Sequence, residues 1–147
     1  MNVRRAVTAG FVGTAVITAL WLIEPKVGLG HLAVGDILSS LLALATAYAS
    51  LGPAPGWILH FAVGVTLALI YAALFARRLP GSPMGRGLLY GGLIFILAQV
   101  VFMPLVGAGL FSRGDPALLA GSLLGHLVYG GLVGVIYAGG ELTAGRA

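Results

Sequence analysis

Two stretches decide the fold: residues 60–72, HFAVGVTLALIYA, and residues 126–138, HLVYGGLVGVIYA. Both read H-x-x-x-G-x-x-x-x-x-I-Y-A, stand 66 residues apart and contain no charged side chain. Each belongs to an apolar run of the length that carries a helix through a bilayer, about 20 residues. The runs lack period-2 alternation, and a lipid-exposed backbone must satisfy its own hydrogen bonds, so they read as helices.

Two more such runs lie on either side. The four predicted spans cover about 7–23, 57–76, 87–111 and 117–140. Spans one and three align at an offset of 79, pairing Gly13 with Gly92, Ile17 with Ile96, Ala19 with Ala98, Pro25 with Pro104 and Gly28 with Gly107. The expected architecture is an all-α four-helix bundle of two duplicated helical hairpins, a parallel 2+2 repeat with its pseudo-twofold axis along the membrane normal. His60 and His126 then sit at similar depth. The longer loop after span one predicts a short interfacial helix over 37–50, capped by Asp36, with Pro53, Pro55 and Gly56 breaking the chain before an anchoring Trp57.

Composition agrees with a single transmembrane domain over 1–147. Hydrophobic residues make up 59% and charged residues 8%, against about 25% charged in soluble domains, and mean hydropathy is +1.06. Too few polar groups exist to coat a water-soluble surface. With no cysteine, a disulfide scaffold is excluded. The net charge of +4 does not indicate nucleic acid, because the basic residues flank apolar runs instead of lining one face. Arg4, Arg5, Arg77, Arg78, Arg86 and Arg146 fall on one side with Glu141, while Lys26 and Arg113 fall on the other with Glu24, Asp36 and Asp115. The positive-inside rule places both termini in the cytoplasm. Span one has the basic start and apolar run of a signal peptide but no convincing cleavage site before Glu24-Pro25, and it is read as a permanent helix.

The repeated helices each carry a ridge of small residues: His60, Gly64, Ala68 and Ala72 with Tyr71 beside them, and His126, Gly130, Gly134 and Ala138 with Tyr137. Small residues every fourth position let backbones approach closely in lipid. Gly121-x-x-x-Gly125 reads as an exposed ridge able to dock a partner. A histidine within a span is costly and marks a candidate site, and three roles are open to His60 and His126. They serve as interhelical hydrogen-bonding groups; or they ligate a b-type heme from diagonal helices, with Gly64 and Gly130 making room for the macrocycle; or, with Glu24 and the loop residues His31 and Asp36, they form an outward metal or proton site. Gln99, the only carboxamide within a span, is expected in an interhelical hydrogen bond. Thr14, Thr18, Thr66 and Ser122 are expected to bond their own helices, and Pro25 and Pro104 to end or kink spans one and three.

No nucleophile elbow, phosphate loop, dinucleotide fingerprint or zincin motif is present, so the chain is read as non-enzymatic. The run RGLLYGGLIFILAQVVFMPLVGAGLF, followed by HLVYGGLVGVIY, resembles small bacterial and archaeal membrane proteins grouped as a domain of unknown function. The Pro-x-x-Gly end of span one, Asp36 and the His60 span belong to the same likeness. It implies a four-span protein of the cytoplasmic (inner) membrane without an agreed activity. The favoured expectation is a self-associating bundle or an accessory subunit of a membrane complex. The alternatives are a heme-binding electron-transfer protein and the outward metal or proton site.

Overall fold

The computed structural model describes residues 1–30 and 54–139. The predicted helix over 37–50, together with His31, Asp36, Glu141 and Arg146, lies outside the described residues. Among the described residues there are helices and no strands. Four helices are long and apolar enough to cross a membrane: α1 (Val3–Trp21), α2 (Ala54–Phe75), α3 (Pro83–Leu105) and α4 (Pro116–Ala138).

Their starts follow ordinary capping chemistry. Asn2 accepts from the Arg5 amide. Ser82 accepts from the Gly85 amide at 3.1 Å, and Asp115 accepts from the amides of Ala117 and Leu118 at 2.9 and 3.1 Å. Ser82 and Asp115 each precede a proline, whose missing N–H would find no helical partner at that position. These caps start α3 four residues before the predicted span and α4 one residue before it. α3 also ends earlier, at Leu105 instead of residue 111. Pro104 occupies its final turn, after a widened π turn at Ala98–Phe102. Gly107 then takes a φ of 78°, a positive-φ conformation of the kind that stops a helix. Pro25 lies beyond α1, in a 3-10 turn over Glu24–Val27.

α1 packs against α2 and α4, and α3 packs against α4. The bundle therefore runs α2–α1–α4–α3, which sets α2 and α4 on a diagonal. The Asn2 amide donates to the Tyr137 hydroxyl at 3.2 Å, so the start of α1 and the end of α4 share one end of the bundle. At that end α2 and α3 are tied together. Arg86 donates to the Ala76 carbonyl at 2.9 Å, Tyr90 donates to the Leu67 carbonyl at 2.8 Å, and the Tyr71 and Tyr90 rings lie 5.2 Å apart. The buried core gathers here, with Ala68, Tyr71, Tyr90, Tyr129 and Val133.

The small-residue ridges do pack. A Cβ placed on Gly130 would stand 2.3 Å from the Gly87 carbonyl oxygen, and one on Gly134 2.2 Å from that of Pro83. α3 and α4 thus meet backbone to backbone, where dispersion takes the place of the hydrophobic effect. Ala68, Ala72 and Tyr71 are buried as well, whereas Ala138 and Tyr137 are only half-buried. Gly121 and Gly125 are buried rather than exposed. A side chain on Gly121 would strike the Gly30 carbonyl, because the chain leaving α1 folds over this ridge. It is not a free docking face. Outward, the helices show lipid-compatible surface, such as Ile58 at 73% and Leu105 at 69% exposure.

Candidate functional site: a cavity between the helices

Away from the tied end, all four helices surround a cavity of about 420 Å³. α2 and α3 meet near the termini, but on the far side of the Tyr90–Leu67 bond the cavity lies between them. Its walls are mainly aliphatic: Ile17 from α1, Val63 and Leu67 from α2, Ile94, Leu97 and Val101 from α3. Tyr129 lines it and donates a short hydrogen bond to the Gly64 carbonyl across the diagonal. Polar side chains on the lining come from Thr14, Trp21, Glu24, His60, Ser112, Ser122, His126 and Tyr129.

The sequence brings His60 and His126 to this one cavity, each held differently. The His60 ring is 4.9 Å from Trp21 and 5.9 Å from Trp57 by centroid. Its Nε2 is 3.3 Å from Thr18 Oγ1. That hydroxyl already donates to the Thr14 carbonyl at 2.8 Å, so it accepts from an Nε2–H. His126 Nδ1 is 2.7 Å from the Ser122 carbonyl oxygen. A carbonyl only accepts, which puts the proton on Nδ1 and leaves Nε2 as an acceptor.

Behind His126 runs a polar chain. Ser112 donates to Gln99 Oε1 at 2.9 Å, and Gln99 Nε2 donates to Ser122 Oγ at 3.0 Å. Gln99 is fully buried; it joins α3 to α4, as expected, and also to the turn after α3. That turn is unusual, since Phe111, Ser112 and Arg113 have φ of 46°, 51° and 54°. Left-handed backbone at non-glycine residues costs roughly 1–2 kcal/mol each. The Ser112–Gln99 bond, with Arg113 donating to the Gly107 carbonyl at 3.0 Å, holds it in place. Thr14, Thr18 and Thr66 bond carbonyls one turn back in their own helices, whereas Ser122 serves Gln99.

The other expected site residues fall elsewhere. Glu24 is buried, with 2% exposure, and lines the cavity beside Gly121. Among the described residues no three of His, Asp or Glu gather closely enough to share a metal ion, so His60, His126 and Glu24 face the same space without forming one ligand set. Nor do the residues fit a heme between His60 and His126. A Cβ on Gly64 would meet Thr14 Oγ1 at 1.9 Å, and one on Gly130 would meet the Gly87 carbonyl, so both glycines admit a neighbouring helix and no macrocycle. His60 is moreover packed against Trp21 with Nε2 engaged.

Sequence reasoning missed Trp21, Tyr90, Tyr129 and the left-handed turn. Trp21 had a faint signal, an amphipathic ring one turn before Glu24. The turn had none, because nothing in Phe-Ser-Arg favours positive φ.

A family of unknown function, DUF6789, matches residues 1–143. The chain belongs to that family. No curated protein matches it, and neither does any solved structure.

Proposed function

We propose that this member of DUF6789 is a non-enzymatic membrane protein that binds a lipid-soluble small molecule in the cavity between α2 and α3. The carrying observation is the cavity itself. Its 420 Å³ lies in the range of small-molecule sites, about 300–1,000 Å³, and it has their character of apolar walls with a few polar groups. The space is partly open at its edge and lined by aliphatic side chains, so an apolar molecule entering it gains dispersion contact on several walls.

The same reading sets the chain in the cytoplasmic membrane with both ends in the cytoplasm, since Arg4, Arg5, Arg77, Arg78 and Arg86 cluster at the tied end. It also takes the two halves as a duplication. Two matched turns support this: the Leu29 amide bonds the Glu24 carbonyl as the Ala108 amide bonds that of Met103, and Gly28 and Gly107 share φ of 78°. Under such symmetry the α1–α4 and α2–α3 interfaces are counterparts, one closed by Tyr129 and Val133 against Gly13, the other parted around the cavity.

Native mass spectrometry of protein released directly from membranes tests the reading. The expected spectrum shows a small apolar adduct that is lost in Gly125→Leu, where a side chain would enter the cavity. Bare protein in both preparations contradicts it.

A further inference from the structure

The polar groups in the cavity specify the head group of its ligand. We infer that it is a hydroxyl: the occupant is a lipid-soluble alcohol or phenol, whose O–H donates to His126 Nε2. This rests on the cavity being a ligand site, and it goes further by choosing among ligand classes.

The first observation is the fixed tautomer. With Nδ1–H committed to the Ser122 carbonyl at 2.7 Å, His126 offers the cavity only an acceptor. Among the described residues Nε2 has no hydrogen-bond partner. The Nδ1–H form is the favoured one: a flipped proton would leave Nδ1 facing a carbonyl lone pair at 2.7 Å, with only the more distant Ser122 hydroxyl, at 3.4 Å, to donate to it. Ser122 is itself steadied by Gln99 at 3.0 Å, an amide with 0% exposure. A ketone, ether or ester head would bring acceptor against acceptor, and a hydrocarbon would leave Nε2 desolvated and unpaired.

The second observation is independent and concerns a donor. The Trp21 indole N–H also has no partner among the described residues, and Trp21 lines the same cavity. Its Nε1 lies 3.9 Å from where a Cβ on Gly125 would be, next in sequence to His126. The cavity wall thus carries both an acceptor, on His126, and a donor, on Trp21. A hydroxyl is the smallest group that supplies both complements. Gly125 leaves the space for it, since a Cβ there would meet nothing closer than that indole nitrogen.

The chain has two tryptophans, Trp21 on the cavity wall and Trp57 with its ring 6.4 Å from that of Trp21. Intrinsic fluorescence therefore reports on this site. The probes are a bromine-substituted dodecanol and its methyl ether, titrated into the intact protein in a bromine-free detergent. The expected result is saturable quenching by both, with the alcohol half-saturating at about tenfold lower concentration. His126→Phe should remove that preference, and His126→Gln, which keeps a polar acceptor, should retain part of it. Equal half-saturation by alcohol and ether in the unaltered protein overturns the hydroxyl assignment while leaving a ligand cavity. Absence of saturable quenching by either probe overturns both.

Discussion

The Tyr90 hydroxyl donates to the Leu67 carbonyl at 2.8 Å, and this bond marks where α2 and α3 cease to be packed partners. On the side of the termini, Arg86 and the Tyr71–Tyr90 ring pair hold the two helices together. On the other side lies the cavity. The diagonal bond from Tyr129 to the Gly64 carbonyl crosses the bundle at nearly the same level, so two phenols form the floor between the packed half and the open half.

Tyr90→Phe removes the tie while keeping the ring. Interhelical hydrogen bonds in membranes average about 0.6 kcal/mol, so a loss of about 0.5–1.5 kcal/mol is expected. Denaturant titration of the purified protein in mixed micelles measures it. Tyr129→Phe should cost at least as much, because its partner carbonyl is buried deeper in the bundle.

The α3–α4 contact predicts a sharp contrast among glycines. Gly130→Leu forces a side chain into the Gly87 backbone at 2.3 Å, and the bundle should fail to assemble or lose at least about 3 kcal/mol. Gly92→Ala, with nothing within 4 Å of its new Cβ, should be neutral or stabilising by up to about 1 kcal/mol. Melting of the two variants side by side checks both signs.

Much of this was legible beforehand. The number of long apolar helices followed from apolar length, and the backbone contact of Gly130 and Gly134 followed from four-residue spacing in an apolar helix. Both histidines were marked by their cost within apolar runs. The cavity was not legible, because it depends on α2 and α3 parting while α1 and α4 close, and no local pattern in residues 57–111 encodes that difference. The heme reading gains no support for a related reason. Spacing shows that Gly64 faces inward, but only the three-dimensional arrangement shows Thr14 already filling the place of its side chain.

Ser112→Ala releases the left-handed turn from Gln99 without touching the cavity walls otherwise. Amide exchange over 106–115 should accelerate, since the strain in Phe111–Arg113 loses one of its restraints. Exchange in α2 should stay unchanged. Measurement by hydrogen exchange with peptide-level mass analysis reads both regions at once.

Orientation is equally open to test. The Asn2–Tyr137 bond puts α1's start and α4's end together, and the arginines at that end predict a cytoplasmic location. An alkaline phosphatase fusion after Gly81 should be inactive, and one after Gly114 active. The reverse pattern would turn the whole bundle over.

The central claim is that an apolar cavity between α2 and α3 takes up a molecule from the lipid phase. Its most direct measurement is quenching of Trp21 and Trp57 by a brominated hydrocarbon bearing no polar group, compared between the unaltered protein and Gly125→Leu. Saturable quenching in the first and only weak, linear quenching in the second is the predicted result. Identical linear quenching in both, with Gly125→Leu folded and no more stable than the parent, would show that nothing enters the space between these helices.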